Sequence, residues 1–88
     1  MENKVQSQII NYIEANGGYV VKIIRCNKNG FPDLHFLLNG KPYYCEVKAN
    51  GKVPRALQEY RIEELILHGG IAFFCDSLEN FKNKLGNI

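Results

Sequence analysis

Apolar side chains near the start of the chain recur at three- and four-residue spacing, which is the pattern of an amphipathic helix. Val5, Ile9 and Ile13 lie on one face of that helix, which we expect over residues 3–15. An Asn-Gly-Gly sequence at 16–18 follows as a C-terminal stop. The next segment, residues 19–25, is rich in β-branched and aromatic side chains and predicts a strand.

Two further strands are predicted at residues 33–38 and 41–48, separated by Asn39-Gly40, the strongest short-range signal for a β-hairpin. If the turn lies on this dipeptide, Leu38 faces Lys41 and Asp33 lies directly opposite Glu46. Alternation then divides the hairpin into two faces. One face is continuously apolar and must belong to the core; it carries Leu34, Phe36, Leu38, Tyr43, Cys45 and Val47. The other face carries Asp33, His35, Leu37, Tyr44, Glu46 and Lys48.

The remaining pattern predicts a helix, a strand and a last helix. Pro54 suits the first turn of the helix, which would run to about His68 before Gly69-Gly70. Residues 71–75 are wholly apolar and predict a strand buried on both faces. Asp76 or Ser77 could cap the last helix. Its apolar side is formed by Leu78, Phe81 and Leu85. The order αβββαβα predicts an α/β fold with a mixed central sheet flanked by helices on both sides.

Length and composition restrict the function classes. The chain has 88 residues, of which 45% are hydrophobic and 23% charged, as expected for one small globular domain spanning residues 1–88. No apolar run approaches the roughly 20 residues needed to cross a bilayer, and the N-terminus lacks a signal-peptide pattern. We therefore expect a cytoplasmic protein without a membrane partner. Cys26, Cys45 and Cys75 form no Cys-x-x-Cys pair, so we expect reduced, packed thiols and no zinc site.

Charge is distributed unevenly along the chain. The net charge is +2, but residues 22–61 contain eight basic and three acidic side chains, which leaves that segment at +5 and the flanks at −3. A basic middle suits a nucleic-acid partner or a solvated face. Lys52 and Arg55 lie in and after the loop that follows the second hairpin strand and could reach phosphates, or could be ordinary surface charge.

The polar face of the predicted hairpin carries candidate chemistry. Carboxylates at Asp33 and Glu46 would stand roughly 5 Å apart at Cβ and would repel each other unless a positive charge lay between them. A divalent cation such as Mg²⁺ resolves this conflict, and Lys48 beside them could orient or deprotonate an attacking water or stabilise transition-state charge. The alternative is a solvated polar face with a surface Glu46–Lys48 pair.

Two polar residues on the predicted helices also point inward. Glu2 lies on the same side of the first helix as Ile9 and Ile13, and Gln58 falls on the inward side of the second helix. Each could instead be a frayed or hydrogen-bonded structural residue. Together with Asp33, Glu46 and Lys48 of the hairpin, they place five polar groups near one part of the sheet.

These residues resemble a known motif set. Gly30-Phe31-Pro32-Asp33, then Glu46-Val47-Lys48, then Gln58 resemble the PD-(D/E)xK nuclease superfamily, and within it the virus-type replication-repair nuclease (VRR-NUC) family, over nearly the whole chain. The resemblance implies a Mg²⁺- or Mn²⁺-dependent phosphodiesterase in which Asp33, Glu46 and the Val47 carbonyl bind the metal. It further implies that Lys48 serves catalysis, that Gln58 supports the site, and that Glu2 matches the acidic residue of the family's first helix.

The expected function is therefore that of a structure-selective DNA endonuclease, resolving four-way (Holliday) junctions in a bacterium or a phage-infected cell. The main alternative is a non-catalytic DNA-binding or assembly module on the same fold. A small-molecule-binding domain is disfavoured because no phosphate-cradling glycine motif is present. Paired incisions in a junction would require a symmetric homodimer. Its candidate interface residues, some of which must belong to the core, are Phe73, Phe74, Leu78, Phe81, Leu85 and Ile88. The alternative is a monomer whose C-terminal helix only covers the sheet.

Overall fold

The predicted order of helices and strands is confirmed. A computed structural model describes residues 2–86, which form three helices and four strands. They are α1 (Glu2–Ala15), β1 (Tyr19–Lys22), β2 (Leu34–Leu38), β3 (Lys41–Val47), α2 (Ala56–Leu67), β4 (Ile71–Cys75) and α3 (Leu78–Gly86).

The strands form one mixed sheet in the order β1-β2-β3-β4. The first three strands pair antiparallel, and β4 runs parallel to β3. Asn39 and Gly40 both have positive φ angles, 53° and 78°, as a tight hairpin turn requires. Leu38 pairs with Lys41 and Leu34 with Cys45, which is the predicted register.

The core lies between one face of the sheet and the helices α1 and α3. The apolar hairpin face is buried as predicted, and Phe36 stacks on Tyr43 within it. Phe81 of α3 also contacts Phe36, and both side chains are fully buried. The helix α2 lies on the opposite face, where it packs over β4. This arrangement leaves the polar hairpin face beside the first turn of α2.

Two predicted boundaries are wrong. The first strand ends at Lys22 and not at Arg25. Ile23 still donates a backbone hydrogen bond to the Asp33 carbonyl at 2.7 Å, and after it the chain leaves the sheet for the β1–β2 connection. The helix α2 begins at Ala56 rather than at Pro54, because the Gln58 side chain accepts a hydrogen bond from the Arg55 N–H and fixes Arg55 as the N-cap.

Burial of the last strand and of one cysteine also differs from expectation. Ala72 and Cys75 are buried, but Ile71, Phe73 and Phe74 are only partly buried because β4 is at the sheet edge. Cys26 is exposed rather than packed. Cys45 and Cys75 are buried free thiols, as expected. Ser77 is the residue that caps α3, since its Oγ accepts a hydrogen bond from the Asn80 N–H at 3.0 Å.

The packing of α3 shows which of the candidate interface residues belong to the core. Phe81 is fully buried in the monomer, so it is unavailable to a second subunit. Phe73, Leu78 and Leu85 pack against the same core and are only partly accessible. Ile88 lies outside the described residues.

None of the helices within residues 2–86 is long and apolar enough to cross a membrane.

Candidate active site

The hairpin brings Asp33 and Glu46 together at the sheet. Asp33 directly precedes β2, and its Oδ2 accepts a hydrogen bond from the Val47 N–H at 3.1 Å across to β3. Glu46 lies within β3 and is only 2% exposed. The structure therefore has the predicted register, which makes Asp33 and Glu46 neighbours. The Val47 N–H fixes the orientation of the Asp33 carboxylate.

Gln58 joins the helix α2 to the hairpin. Its amide Nε2 donates to Glu46 Oε2 at 2.9 Å, and its Oε1 accepts from Lys48 Nζ at 3.1 Å. The Arg55 N–H donates to the same Oε1 at 2.8 Å. One side chain thus holds a carboxylate, an ammonium and the helix start together. Lys48 is 9% exposed, and its Nζ lies 3.9 Å from Glu46 Oε2.

The electrostatics of the site favour a positive charge. Burial raises the pKa of Glu46 to about 8, and the neighbouring Asp33 carboxylate acts in the same direction against the opposing effect of Lys48. Burial also raises the pKa of Asp33, although the Val47 N–H hydrogen bond opposes that shift. Two ionised carboxylates are therefore disfavoured in this site, and without a bound cation Glu46 keeps its proton at neutral pH.

The residues present fit a divalent cation. Glu46 Oε1 is buried and has no hydrogen-bond partner within residues 2–86. A buried carboxylate oxygen without a partner is costly unless a proton or a cation meets it. Among the same residues no cluster of three His, Cys, Asp or Glu side chains is found. Mg²⁺ is commonly held by one or two carboxylates together with waters, so the Asp33–Glu46 pair satisfies its protein ligand requirement.

The N-terminal helix carries the predicted residue Glu2 and, on its buried side, a second polar residue, Gln6. Glu2 is exposed, and its negative charge acts to raise the pKa values of both Asp33 and Glu46. Gln6, one turn later, is 7% exposed on the buried stripe of the same helix. In the sequence, only its position on the apolar face of the predicted helix indicated that Gln6 would be buried.

The structure leaves the two predicted DNA contacts on the surface. Lys52 and Arg55 are exposed, and Arg55 lines a small groove with Gln58. Arg25 and Lys28, which sequence reasoning did not single out, line a second groove that reaches Asp33. Their only sequence signal was membership of the basic middle segment.

The fold is that of a small α/β domain with two carboxylates brought together on its mixed sheet. No family model and no curated protein matches the chain. Among solved structures, one described as "VRR_NUC domain" superposes with a TM-score of 0.85 at 28% identity, covering 97% of this chain and 94% of that one. A second, described as "VRR_NUC domain protein", has a TM-score of 0.81 at 20% identity over 98% and 85% of the two chains. The protein thus has the VRR-NUC fold, and the resemblance to the VRR-NUC family predicted from its sequence is confirmed.

Proposed function

We propose that the protein is a Mg²⁺- or Mn²⁺-dependent DNA endonuclease whose site is formed by Asp33, Glu46 and Lys48. The observation that carries this proposal is the buried, partnerless Glu46 Oε1 beside a second carboxylate. At neutral pH a proton can meet this atom, and a divalent cation would replace that proton and be held by both carboxylates. The resemblance to VRR-NUC domains agrees with the same conclusion.

Each residue has a separate task in this proposal. Asp33, Glu46 and the Val47 carbonyl would hold the metal ion, and the Val47 N–H keeps Asp33 oriented. A bound ion would lower the pKa of a coordinated water and offset charge on the phosphate. Gln58 occupies one donor of the Lys48 ammonium, which leaves further N–H groups to stabilise negative charge developing on the phosphate oxygens. Glu2 would add a further acid at the edge of the site.

The substrate we propose is branched DNA, with the four-way junction cut by a symmetric homodimer in the cytoplasm of a bacterium or a phage-infected cell. One site on a small domain makes a single incision, whereas productive resolution needs two incisions at a fixed separation. Because Phe81 belongs to the core, the C-terminal residues still available to a partner are those that remain partly accessible. Of these, Phe73 and Phe74 line an apolar groove of about 520 Å³ beside α2.

A panel of labelled substrates tests this function. Duplex, flap, single-stranded and four-way DNA would be incubated with Mg²⁺ or Mn²⁺, and light scattering would give the mass of the protein alone and on the junction. We expect a dimeric mass and paired cuts, with the four-way junction cut fastest. Faster cleavage of flaps would reject the junction assignment, a monomeric mass on the junction would reject the dimer, and binding without cleavage of any substrate would favour the non-catalytic alternative.

A further inference from the structure

A polar groove opens beside the candidate site, between the β1–β2 connection and the first turn of α2. Its volume is about 310 Å³, and we call it the β1–β2 groove. Asp33 and Gln58 lie at the end that meets the site, while Arg25, Lys28 and Phe31 line its walls. A ligand in this groove would therefore extend directly into the site that holds the two carboxylates.

The loop that forms the groove is fixed to α2 by two contacts. Gly30 has a φ angle of 77°, and a Cβ at this position would lie 2.8 Å from Leu57 Cγ, so only glycine allows the loop to approach the helix this closely. Arg61 Nε donates to the Asn29 carbonyl at 2.9 Å from the next turn of the helix. The groove is consequently preformed and does not require ordering of the loop around a ligand.

The charges at the groove have no partners of their own. Arg25 and Lys28 are exposed, and within residues 2–86 the ion pairs formed involve Lys48 and Arg61, not these two. Arginine and lysine with uncommitted donors are the usual ligands of DNA phosphates. Phe31 adds an aromatic wall, held in place by an edge-to-face contact with Tyr44 at 5.7 Å between ring centroids.

We propose that the β1–β2 groove binds a single, unpaired DNA strand next to the bond to be cut. Arg25 and Lys28 contact its phosphates, and the Phe31 ring packs against one unpaired base. The groove volume of about 310 Å³ is near the lower limit of ligand pockets, roughly 300 Å³, and suits a single nucleotide. This proposal rests on the proposed endonuclease function and deepens it, because it gives a domain of this size a means of holding the strand to be cut where base pairs open at a branch point.

Binding in the absence of metal tests the groove without requiring cleavage. Fluorescence anisotropy in EDTA would compare a fully paired duplex with the same duplex carrying a single-stranded tail. The test variant is Arg25→Ala/Lys28→Ala, and the matched control is Lys41→Ala/Lys82→Ala, which removes the same charge from exposed positions outside the groove. A third variant, Phe31→Leu, keeps apolar bulk against Tyr44 and removes the ring.

For the tailed DNA we expect the test variant to lose about tenfold in affinity. Its slope of log K against log salt should fall by about 1.4, because each single-strand phosphate contact contributes about 0.7. The control should change neither quantity. Phe31→Leu should lower the affinity for tailed DNA by about fivefold or more, while its affinity for the duplex and its salt slope stay unchanged.

Two results would overturn the groove proposal: a test variant that behaves like the control, or losses that are equal for tailed and fully paired DNA. If the binding pattern appears but no substrate is ever cut, the groove stands and the proposed nuclease function fails. If the wild type cuts DNA and the test variant cuts and binds every substrate equally well, the function stands and the groove proposal fails.

Discussion

Gln58 Nε2 donates a hydrogen bond to Glu46 Oε2 at 2.9 Å, while the other oxygen of the same carboxylate, Oε1, is buried without a partner. The two oxygens of the Glu46 carboxylate therefore have different surroundings. One oxygen is anchored to the helix α2, and the other remains available beside Asp33. This relationship supports the proposed role of Glu46 as a ligand of a divalent cation.

Cation binding should depend on the two carboxylates and not on the ammonium. Calorimetric titration with Mn²⁺ is expected to show that Asp33→Asn and Glu46→Gln weaken binding by at least the roughly 10–100-fold that loss of a supporting group costs. Lys48→Ala should change the Mn²⁺ affinity much less, since the positively charged Lys48 ammonium cannot act as a metal ligand. Wild-type Mn²⁺ affinity in both carboxylate variants would show that the ion, if bound, lies elsewhere.

Stability of the metal-free protein should fall as pH rises from about 4.5 to about 8. The folded state holds the Glu46 proton until about pH 8, whereas the unfolded chain releases it near the ordinary value of 4.5. The folded state therefore binds more protons in this window, and raising the pH favours unfolding.

Glu46→Gln removes this pH-dependent contribution. At pH 8 in EDTA its melting temperature should exceed that of the wild type by about 4–8 °C, the shift that about 1 kcal/mol gives a domain of this size. The gain should be smaller at pH 5. Glu63→Gln, at an exposed position, is the matched control. An equal rise in melting temperature at pH 5 and pH 8 would show that the titration of Glu46 does not cause the stabilisation.

The structure also shows which parts of the site were accessible from sequence. The hairpin register was predictable because Asn39-Gly40 and the alternation of side chains are local signals, and together they aligned Asp33 with Glu46. The groove was not, because the position of its loop depends on contacts such as that between Arg61 and Asn29, 32 residues apart. An amphipathic pattern likewise could not tell whether Phe81 covers the core or a partner.

Gln58 should act by positioning its neighbours. Gln58→Ala would leave Glu46 Oε2 and Lys48 Nζ without their shared partner, so we expect cleavage to fall by about 10–100-fold with the fold retained. Gln8→Ala, an exposed substitution on α1, controls for loss of a glutamine. The conservative variant Gln58→Asn should recover little activity, because its shorter side chain cannot span both groups. Full activity in Gln58→Ala would reduce this residue to a helix cap.

Lys52 and Arg55 are predicted to contact phosphates of the paired DNA. Replacing both with alanine should weaken duplex binding and reduce the salt slope by about 1.8, at about 0.9 for each contact. Lys41→Ala/Lys82→Ala again supplies a control with the same change in net charge. A salt slope identical to that of the wild type would assign both side chains to the solvent.

The most direct test of the account is cleavage of labelled branched DNA by wild type and Asp33→Asn, Glu46→Gln and Lys48→Ala variants purified in parallel. We predict cutting by the wild type with Mg²⁺ or Mn²⁺, no cutting in EDTA, and losses of about 10²-fold or more in every variant, each of which remains folded by circular dichroism. Wild-type rates in all three variants, or cutting that persists in EDTA, would contradict the assignment of the site.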